Sequence, residues 1–298
     1  FYSITASIDM NIHRCIGLFK QRKPIFVYHP SIPPELTFES GRQFAGSWAD
    51  LLVIEFEHYG LNPIGLSKFM RGLREATPST DSMVTVVATV PASGDSIESV
   101  NANAWQIRQL LAAGIHGLIL AQASDIRAVE KFVQASRFSL HTQRQDVLGP
   151  GCRGAGGEDH ASQVWNLSKE NYWRLADPWP LNPDGELLLG LKIENRESLG
   201  QVDDIASVPG ITFAEWGPAD MAMSYAVPDA QDPPYPESLY EAMNTVRKAL
   251  SKAGVRFYCG WNDSTMSIEE QVDFLLDDLG AEMLWSPSPQ FAAYGRRR

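Results

Sequence analysis

Short apolar runs recur along the chain, separated by stretches whose apolar residues repeat at helical spacing. Eight runs read as strands: Pro24–His29, Leu51–His58, Met83–Pro91, Gly117–Gln122, Leu187–Asn195, Ile211–Pro218, Val255–Trp261 and Ala281–Pro287. Between them, Leu66, Phe69, Met70 and Leu73 share one helical face, as do Ile107, Leu110 and Leu111. A third helix is expected to start at a Ser124 cap, and others stop at Gly114, Gly254 and Gly280 just before a strand. Strands alternating with helices predict a parallel sheet covered by helices. Eight repeats favour closure into a single (β/α)8 TIM barrel over residues 1–298. No Gly-x-Gly-x-x-Gly follows the first strand, which weighs against a dinucleotide-binding sheet. The polar segment at about 136–185, with its "VWNLSKENYWRLADPWP" stretch, reads as a long excursion on the fourth βα loop that carries a helix.

Composition narrows the function classes. The 298 residues are 44% hydrophobic, enough for a large core. A net charge of −11 speaks against nucleic-acid binding, which needs a basic face. No apolar run is long enough to span a membrane. Cys15, Cys152 and Cys259 lie far apart, so no zinc or dithiol motif is signalled, and a reducing, cytoplasmic setting is the expectation. The chain opens with Phe1, which leaves room for a longer precursor; no signal-peptide pattern appears in it.

Candidate chemistry gathers where barrels place it, at the C-terminal strand ends. Glu55, Glu57 and His58 close the second run, Glu194 ends the fifth, and Asp220 follows the sixth. Two carboxylates from neighbouring strand ends suit a hard divalent cation, Mg²⁺ or else Mn²⁺ or Co²⁺. The turn Gly217-Pro218-Ala219-Asp220 opens a helix whose amides attract an anion such as a substrate carboxylate. Simpler readings stand beside these: strand-end carboxylates serve as caps or lie in solvent, and a histidine serves structure. Of the other histidines, His29 and His160 are the better site candidates. Trp165, Tyr172, Trp173 and Trp179 read as packing residues first.

Four blocks resemble the HpcH/HpaI aldolase family, relatives of citrate lyase β subunits. They are "LLVIEFEHYGLN", "WQIRQLLAAGIHGLILAQASDIRAVEKFVQASRF", "CRGAG" and "GLKIENRESLGQVDDIASVPGITFAEWGPADMAMSYAV", and the resemblance runs from about Lys20 to about Pro287. It implies a TIM barrel in a homo-oligomer, from dimer to hexamer. It implies a divalent metal on Glu194 and Asp220, and aldol or retro-aldol chemistry on a pyruvate-type enolate of a 2-oxo acid. It makes His58 the catalytic histidine, working with Glu55, and matches Arg153-Gly154 to the family's loop after strand four. It puts Trp216, Gly217, Pro218 and Ala219 at the substrate. The metal-site spacing is also similar to that of macrophomate synthase, which keeps decarboxylation with cyclisation open. So are C–C hydrolysis on the same site and a barrel retained for binding alone. One departure matters. The family's strand-three arginine, which binds the keto or enolate oxygen, is replaced by Ala88 or Thr89. A missing cation at developing negative charge costs on the order of 3 kcal/mol in barrier. Arg153, Lys192 and Arg196 are the candidate replacements. Phe56, in place of a common glycine, and Trp216, Trp261 and Trp285 predict an aromatic mouth and a flatter substrate.

Overall fold

Eight short strands pair side by side in chain order and close on themselves in a computed structural model that describes residues 11–30 and 33–298. They are β1 (Ile25–Tyr28), β2 (Leu51–Ile54), β3 (Thr85–Ser93), β4 (Gly117–Ala121), β5 (Leu188–Ile193), β6 (Phe213–Trp216), β7 (Arg256–Cys259) and β8 (Met283–Trp285). Every pairing is parallel, and β8 returns to β1 through Ile25 opposite Met283. Each predicted run marks one strand, with β3 running two residues past the expected end at Pro91. The strands are buried on both faces, which is why they read as continuous apolar runs.

Alternation sorts each strand into two faces. Ile25, Val27, Leu51, Val53, Val87, Ile119, Leu188, Phe213, Tyr258 and Met283 fill the barrel interior. Phe26, Leu52, Ile54, Val86, Leu118, Leu189, Ala214 and Leu284 face the helical layer. Gly190 on β5 makes room for the interior ring of Phe213: a Cβ at 190 would lie 2.3 Å from the ring.

Helices on the outer layer follow the strands: Phe38–Phe44, Pro63–Ala76, Ile97–Ala112, Ile126–Ser136, Glu237–Ala253 and Pro289–Gly295 among them. The Ile126–Ser136 helix is capped by Asp125, whose carboxylate accepts the Arg127 N–H at 2.9 Å, and not by Ser124. Among the described residues, no helix is long and apolar enough to cross a membrane.

The 136–185 excursion differs from expectation in its place. It follows the Ile126–Ser136 helix and so begins where the chain has already returned to the N-terminal end of the barrel. It carries three short helices: Gln145–Leu148, Glu158–Val164 and Lys169–Leu175. Trp165 donates its indole N–H to the Gly114 carbonyl at 3.0 Å, just before β4. Trp179 stacks at 5.6 Å on Phe19 of the Arg14–Lys20 helix, which plugs the barrel floor with Cys15 and Ile16. The four aromatic residues of this stretch therefore pack structure, away from the mouth.

Buried polar groups seal the floor. His13 bonds the Thr85 hydroxyl at 2.8 Å and the Glu186 carbonyl at 2.9 Å, and its ring lies 4.7 Å from that of His116. Glu186 accepts the Ile12 N–H at 3.0 Å. Burial pushes the Glu186 carboxyl up to about 7 and the His13 imidazole down to about 4. The His13 contribution to stability is present above pH 6.5 and is lost as the pH falls towards 4. Glu186 acts the other way: its protonated form suits the fold, so stability falls as the pH rises from about 4.5 to about 7.

We therefore expect Glu186→Gln to stabilise the protein increasingly over that window, by on the order of 3 kcal/mol at its top. Urea unfolding at pH 5 and pH 8.5 checks this, and a gain confined to the acid side would refute it. Gly190→Ala should lower the unfolding free energy by about 1–3 kcal/mol through overpacking against Phe213, read as a lower urea midpoint.

Candidate active site

Following the interior face of each strand upward leads from apolar layers to a polar one. After Ile25 and Val27 comes His29; after Leu51 and Val53 come Glu55 and Glu57; after Thr85 and Val87 comes Thr89. Leu188 and Gly190 lead to Lys192 and Glu194, and Phe213 leads to Glu215. This layer lies at the C-terminal end, where a cavity of about 980 Å³ opens, lined among others by Tyr28, His29, Glu55, His58, Lys192 and Glu215.

Lys192 is the hub. Its ammonium donates to Glu57 Oε2 at 2.6 Å and to Glu55 Oε2 at 3.5 Å. Burial disfavours its charge, but Glu215, Glu194, Glu55 and Glu57 together hold it well above the usual ammonium range. Glu55 is fixed from several sides. The Thr89 hydroxyl donates to it, the Glu57 N–H donates to Oε1 at 2.6 Å, and His29 Nε2 lies 3.3 Å from Oε2. Burial opposes its ionisation, yet the His29 bond, Lys192 and Thr89 hold the carboxyl well below its ordinary range. Thr89 thus holds Glu55 and also accepts the Phe56 N–H at 2.8 Å.

Glu194 and Asp220 occupy the β5–β6 edge of the same end. Glu194 is 2% exposed, and its Oε1 accepts the Gln122 N–H at 2.8 Å. A Cβ at Gly217 would lie 2.7 Å from Glu194 Oε2, so the glycine leaves the space that this carboxylate fills. Burial pushes the Glu194 carboxyl up to about 8, with the charges of Glu57 and Asp220 adding to it against Lys192 and Gln122. A buried carboxyl crowded by other acids is the kind of donor a hard divalent cation satisfies, so the residues fit one. Among the described residues, no cluster of three or more His, Cys, Asp or Glu side chains is arranged to hold a metal.

The other predicted site residues divide. Pro218 and Ala219 line the cavity. Trp216 borders it but is 1% exposed, mostly core. Gly217 spends its N–H on the Ile193 carbonyl at 3.3 Å and Pro218 has none, which leaves Ala219 and Asp220 as the amide donors at the start of the Pro218–Ser224 helix. His58 lies on the rim, its side chain 63% exposed and 3.9 Å from Glu57. Glu55 holds His29 rather than His58, because it is buried on the interior face while His58 turns outward.

Arg153 is not at the mouth. It is buried in the excursion, donating to Tyr172 Oη at 3.1 Å and lying 3.9 Å over the Phe138 ring. The excursion's place at the floor end is the physical reason. Arg196 lies over Tyr225, and His160 sits on the excursion, so neither lines the cavity. Of the three candidate cations, Lys192 alone lines it. Tyr28, Trp261 and Trp285 supply an aromatic rim, with Trp285 Nε1 donating to the His29 carbonyl at 3.3 Å. Glu215 was absent from the sequence reading, although its spacing of two from inward Phe213 places it on the interior face.

No family model matches the chain. A hydroxypyruvate/pyruvate aldolase from Sagittula stellata is 26% identical over 238 residues, 79% of this chain and 80% of that one. Two further aldolases match over little more than half their own length. Among solved structures, an HpcH/HpaI aldolase/citrate lyase family protein from Burkholderia cenocepacia superposes with a TM-score of 0.67 at 19% identity, covering 93% of each chain. Macrophomate synthase superposes with a TM-score of 0.59 at 17% identity, over 93% of this chain and 85% of that one. In sequence this chain is similar to a hydroxypyruvate/pyruvate aldolase, and in fold it is a TIM barrel of the kind seen in HpcH/HpaI aldolases.

Proposed function

We propose that the protein is a divalent-metal-dependent carbon–carbon lyase of the aldolase type, acting on a 2-oxo acid. The observation that carries this reading is the buried Glu194 carboxyl set against Gly217 and beside Asp220, one step from the ammonium of Lys192. Glu194 and Asp220 would hold Mg²⁺, Mn²⁺ or Co²⁺. When bound, such an ion supplies a Lewis acid that polarises the 2-oxo group.

The chain's own residues do the rest. Lys192 brings fixed positive charge to the oxygen on which the enolate develops, taking the part of the strand-three arginine. Held protonated by its carboxylates, it is a poor nucleophile, so it acts as a cation and not as an imine-forming amine. The amides of Ala219 and Asp220 suit the substrate carboxylate. Two imidazoles border the cavity, His29 and His58, and one of them moves the proton. The relatives' activities and the fold support this assignment. A homo-oligomer belongs to the same proposal on the same resemblance, and a cytoplasmic setting belongs to it on the scattered cysteines.

The aromatic rim favours a second reading on the same site: decarboxylation of an oxaloacetate-type acid, with the enolate joined to a flat acceptor.

Calorimetric titration with Mg²⁺ or Mn²⁺ tests the metal assignment. Glu194→Gln should weaken binding at least about tenfold, and equal binding in both proteins would end the assignment. Lys192→Met should lower pyruvate-forming kcat by about 10²-fold or more. It should also destabilise the fold by on the order of 3–5 kcal/mol at pH 8, because it leaves buried carboxylates unpaired. Less loss is expected at pH 5.5, where burial keeps the Glu194 carboxyl protonated. Activity assays with urea unfolding at both pH values check this.

A further inference from the structure

We propose that His29 is the catalytic acid–base of this site, and that His58 is not. This rests on the lyase reading above. His29 follows β1 directly and continues its interior face, so its side chain joins Glu55, Lys192 and Glu215 around the cavity. Its side chain is 17% exposed, against 63% for His58.

The two ring nitrogens are in different situations. Nε2 lies 3.3 Å from Glu55 Oε2, and Glu55 is itself anchored by the Thr89 hydroxyl, the Glu57 N–H and Lys192. A fixed carboxylate on one nitrogen sets the ring's orientation and stabilises the imidazolium that forms when the other takes a proton. Nδ1 lies 3.8 Å from Glu215 Oε1, within ion-pair reach but beyond a hydrogen bond, so it is not committed. The backbone is held as well, since the His29 carbonyl accepts the Trp285 indole N–H. His58 has one carboxylate at 3.9 Å and is otherwise turned to solvent, which does not position a ring for proton transfer.

The step balances within the site. Neutral His29 takes the proton from the 4-hydroxyl of a 4-hydroxy-2-oxo acid. The O–H pair becomes the carbonyl of the departing aldehyde, and the C3–C4 pair forms the enolate. The imidazolium then returns the same proton to C3, releasing the shortened 2-oxo acid. Loss of CO₂ from oxaloacetate removes no hydroxyl proton, so it needs no base, and the enolate it leaves can take its C3 proton from water.

The experiment uses the full chain with Mn²⁺ or Mg²⁺, and two readouts: deuterium exchange into the pyruvate methyl group by NMR, and oxaloacetate decarboxylation. His29→Asn should lower exchange about 100-fold and decarboxylation far less, and His58→Asn should lower exchange far less than His29→Asn does. In His29→Ala, added imidazole should restore part of the exchange. Exchange that survives in His29→Asn, or that is lost only in His58→Asn, would overturn the proposal. So would loss of both readouts in His29→Asn without imidazole rescue, which would make the residue structural. If the unaltered protein with metal neither exchanges nor decarboxylates, the lyase reading itself falls and this one with it.

Discussion

A single ammonium at the top of the barrel interior has to balance several acids. Lys192 contacts Glu55 and Glu57 and feels Glu194 and Glu215. Without it, four carboxyls would share a poorly solvated space, and burial would drive them to protonate or apart. With it, Glu55 stays ionised and orients His29, Glu57 is tied down, and Glu194 remains the acid left short of positive charge. In the proposed function, the site's division of labour follows from that one charge: a positioned imidazole on one wall, a cation-seeking carboxyl on the other.

Everything beneath the ammonium is arranged to hold it there. Apolar side chains fill the interior from the floor up, with Phe213 seated over Gly190 and Tyr258 across from Met283. Water cannot reach the ion cluster from below, since the Arg14–Lys20 helix and the buried His13, Thr85 and Glu186 contacts close that end. The low dielectric this creates makes the pairings strong and the missing ones costly. The same strands that supply oily layers below supply charged residues above, merely by running two residues further.

The barrel was legible because strands buried on both faces are unbroken apolar runs that need no long-range information to see. The strand-end acids were legible for a related reason: Glu55, Glu194 and Asp220 interrupt those runs or follow them closely. What could not be read was who meets whom. Lys192 bonds residues 135 and 137 positions away, pairings that exist only once the sheet has closed. Arg153 was misplaced because the excursion was assigned to the wrong end: the Ile126–Ser136 helix had already carried the chain back down. Glu55 was given to His58, its near neighbour in sequence, whereas alternation separates those two and brings Glu55 to His29 across the β1–β2 pair. Glu215 was passed over as one acid in an apolar run, though counting in twos from Phe213 would have found it.

The two polar ends of the barrel are electrostatic strangers. Floor and mouth are separated by full layers of hydrocarbon, and the groups in each answer to their own surroundings. Glu186 weakens the fold under alkaline conditions and His13 weakens it under acid ones, for reasons that involve nothing at the mouth. The acidity at which the molecule is hardest to unfold therefore carries separate contributions from both poles, Glu186 and His13 at the floor and Glu194 at the mouth. Substitution at the floor can shift that balance while leaving the chemistry of the mouth alone.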